Sequence, residues 1–134
     1  MNWILLMSSA VFARVKENLS DKLKAEYGMT DKNFSAVDGS NAHAVFPFVY
    51  VHMLPGIETA MDLERTTING GLFTFQIEVY DNQSASRARH VMSEVVSAMK
   101  KMSFEITSMP EMSKTDVHRC VARFRRNISK NDVL

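Results

Sequence analysis

Residues Leu72 to Tyr80 constrain the fold more than any other stretch of the chain. Phe73, Phe75, Ile77 and Val79 alternate with Thr74, Gln76, Glu78 and Tyr80. Side chains of an extended chain point to opposite faces in turn, so this spacing predicts a strand with one dry face and one wet face. The rest of the chain must supply strands to pair with it and apolar surface to cover its dry side.

Just upstream, Asn69-Gly70-Gly71 has the composition of a hairpin turn that needs positive φ angles. Ile57 to Ile68 is therefore expected to fold back as the partner strand. Glu58, Asp62, Glu64, Arg65, Thr66 and Thr67 make it charged and rich in threonine, so residues 57–71 read as an arm reaching partly into solvent. Within it Glu58, Asp62, Glu64, Arg65 and Thr67 are the candidate residues for contact with a partner. Phe46 to Met53 is aromatic and β-branched, as a pleated surface prefers, with Pro47 at its start and Pro55-Gly56 beyond its end. Phe104 to Met109 reads as a strand stopped by Pro110, followed by a polar loop from Glu111 to Asp116. Val117 to Ile128 is the last expected strand, with Cys120, Ala122 and Phe124 on one face. Arg119, Arg123 and Arg125 share the other with Val117 and Val121.

Two segments have helical spacing. Ile4, Met7, Val11, Val15, Leu19 and Leu23 recur at intervals of three and four over residues 2 to about 26, and Gly28 is placed to stop that helix. Ala88, Val91, Met92, Val95, Met99 and Met102 form a second stripe from Ala85 to Met102, with Ser84 as cap and Lys100-Lys101 at the negative end of the dipole. Thr30 to Asn41 reads as loop around a short strand from Phe34 to Val37. Strands mostly follow one another, which favours α+β over a doubly wound parallel sheet. The expected fold is a single domain over residues 1–134. It has a mainly antiparallel sheet of four to five strands, two amphipathic helices on one face, and a polar tail at 129–134 that frays.

Composition narrows the function. At 134 residues, 46% hydrophobic and 23% charged, the chain has an ordinary globular balance. A net charge of +1 gives no bulk attraction to nucleic acid, so DNA contact would depend on a local patch. Arg119, Arg123, Arg125, Arg126 and Lys130 form one such cluster, either a solvated face with cross-strand ion pairs or a surface facing phosphate or an acidic neighbour. The apolar run Trp3 to Ala13 lacks a preceding basic region and is too short to cross a bilayer, so it is expected to be helix rather than export signal. The chain is expected to be made in the cytoplasm.

No catalytic constellation emerges. His43, His52, His90 and His118 have no ligand spacing, and Cys120 has no histidine nearby to activate it. Asn69-Gly70-Gly71 precedes a strand and lacks a following Lys-Ser/Thr, unlike a phosphate loop. No catalytic, cofactor-binding or metal-binding residue is expected. Several of the ten methionines fall on the helix stripes, while Met109 and Met112 flank the expected loop and could serve an interface.

The succession of segments resembles a known family. An amphipathic helix leads to Phe-Pro-Phe-Val-Tyr-Val, and a charged hairpin ends in Phe-Gln-Ile-Glu-Val-Tyr-Asp-Asn. A helix ending Ala-Met-Lys-Lys-Met-Ser-Phe precedes a strand with Arg-Cys-Val-Ala-Arg-Phe-Arg-Arg. Over residues 3 to 128 this resembles the tail terminator, or tail completion, proteins of long-tailed bacteriophages. The resemblance implies a virion protein that forms a hexameric ring, caps the tail tube, ends its elongation and joins tail to head. Its implied partners are copies of itself, the tail tube protein and the head–tail connector proteins. DNA would pass through the lumen without sequence-specific binding, with Arg119, Arg123, Arg125 and Arg126 as candidate lumen or partner-facing residues. No catalytic residue transfers with it. Two other readings stay open: a head-completion or connector protein of the neck, and a small dimeric ligand-binding or regulatory α+β module.

Overall fold

A computed structural model describes residues 2–36, 45–61, 68–114 and 116–134. The elements run α1 (Asn2–Asn18), α2 (Asp21–Tyr27), a 3₁₀ turn (Asp31–Asn33), β1 (Phe34–Ser35), β2 (Phe48–Met53), β3 (Ile57–Met61), β4 (Ile68–Asp81), α3 (Ala85–Lys101), β5 (Glu105–Lys114) and β6 (His118–Ser129). The fold is α+β, with six described strands rather than four or five. Among the described residues only β1 with β2 is a parallel pair; the others are antiparallel.

β4 is the spine of the sheet. β6 covers one of its edges from Gly70 to Asp81. The other edge is shared: β2 pairs with Phe75 to Tyr80, and β3 pairs with Ile68 to Leu72. Between them Leu54 still donates its N–H to Thr74 O at 2.8 Å before the register slips. β2 and β3 are thus two halves of one long strand, bent at Leu54-Pro55-Gly56, and with β4 they make a single extended hairpin. Beyond β6 lies β5, so the order across the sheet is β1-β2-β4-β6-β5.

The alternation of β4 sorts as its sequence dictates. Phe73, Phe75, Ile77 and Val79 are buried, and they share one cluster with Val49 and Val51 of β2 and Cys120, Ala122 and Phe124 of β6. Met7, Val11, Val15, Leu19 and Leu23 of the first two helices enter the same cluster, as do Ala88, Val91, Met92, Val95 and Met99 of α3. The edge of the Trp3 ring meets Phe73 at 5.9 Å between centroids, and Phe75 meets Phe104 at 5.5 Å in the same T-shaped way. Such geometry sets the positive edge of one ring against the negative face of the other.

Three expectations about element boundaries are corrected. The single helix to residue 26 is two helices, because Ser20 is extended (φ −64°, ψ 147°) and its hydroxyl accepts from Leu23 N to start a new one. Gly28 does end that second helix, in the left-handed conformation at φ 64°. Asn69-Gly70-Gly71 is not a turn but lies within β4, and the residues that join β3 to β4, 62–67, lie outside the described residues. A Cβ on Gly71 would lie 2.9 Å from the Phe73 ring and 3.0 Å from Ile57 O, and one on Gly56 would also lie 2.9 Å from that ring. These glycines are bare backbone on which an aromatic ring rests. Pro110 does not stop β5, which continues to Lys114. β5 is an edge strand with slipped register around Met109-Pro110, a position where a missing N–H is tolerated.

The last residues are tied down rather than frayed. Lys130 N donates to Asn69 O, Ser129 N donates to Asp132 Oδ2, and Leu134 packs against the core. Residues 37–41 of the expected loop fall outside the described residues.

Candidate functional site

The wet face of the sheet gathers most of the candidate basic residues. Arg119, Arg123 and Arg125 alternate on β6, and the antiparallel register sets each beside an acceptor on a neighbouring strand. Arg119 reaches diagonally to Glu78, donating through Nε at 2.6 Å and again through Nη2. Tyr80 donates its hydroxyl to the same Glu78 oxygen at 2.9 Å. Arg123 lies opposite Gln76 and donates to its Oε1 at 2.9 Å. Arg125 lies opposite Glu105 on β5 and pairs with it. Arg126 turns to the other side, where it donates to the carbonyls of Met102 and Val133.

The electrostatics follow from that register. Glu111 lies opposite Val121 on the same face, so Arg119, Arg123 and Arg125 share it with Glu78, Glu105 and Glu111, three charges against three, of which Arg119–Glu78 and Arg125–Glu105 are ion pairs. The face carries balanced charge rather than a net positive field. Glu78 is almost fully buried, which makes its partners matter more than those of exposed Glu105. Burial pulls the Arg119 guanidinium towards release of its proton, yet the hydrogen bonds and charges of Tyr80 and Glu78 outweigh it and the net shift is upward. Burial is also the main reason the Tyr80 hydroxyl is raised. Gln76, Ser108, Glu111, Arg119 and Arg123 line a shallow polar groove of about 330 Å³ on this face. It could receive a polar or charged segment of a partner.

The second candidate surface is the hairpin. Of its five candidate residues, Asp62, Glu64, Arg65 and Thr67 lie outside the described residues. Glu58 is described, and it is exposed on β3 beside Gly71. The arm is shorter than residues 57–71 suggested, because Gly70, Gly71 and Leu72 are paired on both sides, with β3 and β6. Thr59 donates across this glycine strip to Asn127 Oδ1 at 2.8 Å, tying β3 to β6. Where β2 bends into β3, a largely apolar groove of about 600 Å³ opens, lined by Ile4, Met53, Leu54, Pro55, Ile57 and Phe73, with His52 and Glu58 among its few polar residues.

One polar cluster escaped the sequence reading because its members are remote in the chain. Tyr27 OH and His90 Nδ1 lie 2.8 Å apart. Glu94, one turn along α3, accepts from Ser20 N at 2.7 Å and from Ser20 Oγ at 3.1 Å. Arg87 stacks over the Tyr27 ring at 4.9 Å and approaches the fully buried Asp81 at 3.4 Å. Asp81 Oδ2 also accepts from Ser84 N, closing the turn that starts α3. These contacts fasten α2 to α3. Only the pairing of Asp81 with Ser84 as a capping turn had a local signature.

His52 stacks on Tyr50 and bonds its hydroxyl, and burial raises the Cys120 thiol. Among the described residues no group of three or more His, Cys, Asp or Glu could hold a metal ion. Nor is any described helix long and apolar enough to cross a membrane. No protein-family model matches the chain, and no curated protein is significantly similar to it.

Proposed function

We propose that this chain is a structural subunit of a long-tailed bacteriophage virion. Copies of it form a ring, six-membered by family resemblance, that caps the tail tube, ends its elongation and presents the surface to which the head joins. It acts without catalysis, cofactor or metal. The observation that carries this reading is the resemblance of the phrases at Phe73–Tyr80 and Ser103–Phe124 to tail terminators. Those phrases fall on the spine strand and on the β5–β6 pair. The long hairpin supports it further, since residues 62–67, with Asp62, Glu64 and Arg65, join its two strands. The balanced wet face suits a lumen that DNA passes without being held, because no net positive field would retain phosphate.

Deleting the gene in the phage tests this. A terminator's loss leaves tubes of uncontrolled length that do not join heads. Tubes of normal length joined to heads contradict the proposal, and tubes of normal length left unjoined indicate a neck connector instead. A second reading, a small ligand-binding module, draws on one observation: the groove at the β2–β3 bend falls within the usual size range of ligand pockets.

A further inference from the structure

The groove at the β2–β3 bend and the Met109-Pro110 bulge of β5 lie at opposite edges of one sheet. We propose that the bulge of one copy of this chain docks in the groove of the next. This rests on the ring reading above and adds the contact that would join its subunits.

Each half shows what the other lacks. On the groove side Ile57 is 64% exposed although its neighbours Ile4, Pro55 and Phe73 form an apolar wall, and Glu58 is the acidic residue there. On the bulge side Met109 is 71% exposed on a strand whose register slips around it. Methionine is unbranched and adaptable, suited to filling an irregular apolar gap. Arg89 of α3 stands beside Pro110, where the two line one small cavity. Among the described residues neither Glu58 nor Arg89 has an ion-pair partner.

The charges choose the mode of association. Pairing groove with groove would set Glu58 against Glu58, and pairing bulge with bulge would set Arg89 against Arg89. Groove with bulge sets Glu58 against Arg89, while Glu111, next to Pro110, is turned to the wet-face groove it lines with Arg119 and Arg123; like-charge juxtaposition is what suppresses a wrong partner surface. Because the two patches occupy opposite edges, the contact is head to tail, which builds a ring when its rotation closes.

Two single-cysteine variants of the full chain, Ile57→Cys and Met109→Cys, test the contact under mild oxidation, with the wild type controlling for buried Cys120. A mixture of the two should give a disulfide-linked dimer on a non-reducing gel, while each variant alone stays unlinked. Either variant linking to itself, or no link in the mixture, overturns the proposal. In sedimentation velocity Glu58→Arg or Arg89→Glu should each weaken association about tenfold, and the two together in one chain should restore it. Restoration failing in the doubly reversed chain also overturns it. Closed rings without the mixed disulfide sink this contact and leave the ring reading standing, whereas the mixed disulfide in open chains or filaments does the reverse.

Discussion

A strand glycine can matter for its missing side chain rather than for its torsion angles. Gly71 is not in the left-handed region, yet a Cβ there would press within 3.0 Å of both the Phe73 ring and Ile57 O. The ring is buried and the carbonyl is backbone, so neither can yield cheaply. Gly71→Ala should destabilise the fold by about 1–3 kcal/mol, as overpacking does, measured by urea denaturation. Ion pairs on the wet face should separate by burial in the same assay. Glu78→Ala leaves Arg119 and Tyr80 without their acceptor at a buried position and should cost about 2 kcal/mol. Glu105→Ala breaks an exposed pair and should cost less than about 1 kcal/mol. Asp132 gives a pH dependence. The backbone N–H of Ser129, then its side chain, hold the Asp132 carboxyl below the usual aspartate range. A depressed folded-state value means its contribution is present above the unfolded value and is lost as pH falls through the folded one. An NMR titration should find the Asp132 midpoint below that of an unstructured aspartate, and a midpoint at or above it would contradict the assignment.

Elements were legible where one periodicity ruled and obscure where a distant contact decided. The alternation of β4 and the stripe of α3 were plain, because local spacing and burial agree. The break between α1 and α2 was not. Leu19 and Leu23 keep helical spacing and are both buried, so the stripe runs across the break without a mark. What ends α1 is Ser20 acting as cap to α2 while Glu94, 74 residues away, accepts from its N–H and hydroxyl. Ser20→Ala should cost about 1 kcal/mol. Glu94→Ala should cost a similar amount, and the double variant less than the sum, because both remove partners from the same helix start. Additive losses would mean that the two do not share that role. Pro110 misled for a related reason: a proline ends a strand only where its N–H is needed, and β5 is an edge. The basic cluster was legible as residues, but its neutralisation was not. Which carboxylate faces which arginine depends on strand register, and the pairing of β5 with β6 shifts register twice, which the sequence does not show.

At the scale of the molecule, the hairpin and the two sheet edges carry the argument for assembly. The paired part of the hairpin belongs to the fold, since Gly70 to Leu72 are bonded to β6 as well as β3. Shortening the whole of residues 57–71 should therefore unfold the protein, whereas replacing 62–67 alone with a two-residue turn should leave its thermal unfolding unchanged and impair assembly. Subunits that still assemble after that replacement would remove the hairpin tip from the interface. Electron microscopy of the purified full chain at high concentration and on isolated tail tubes shows whether copies of this chain close into a ring. Closed rings of one size with six-fold symmetry, free in solution or seated on tube ends, are the expected result. Monomers or two-fold dimers under both conditions, with tube ends bare, would contradict it.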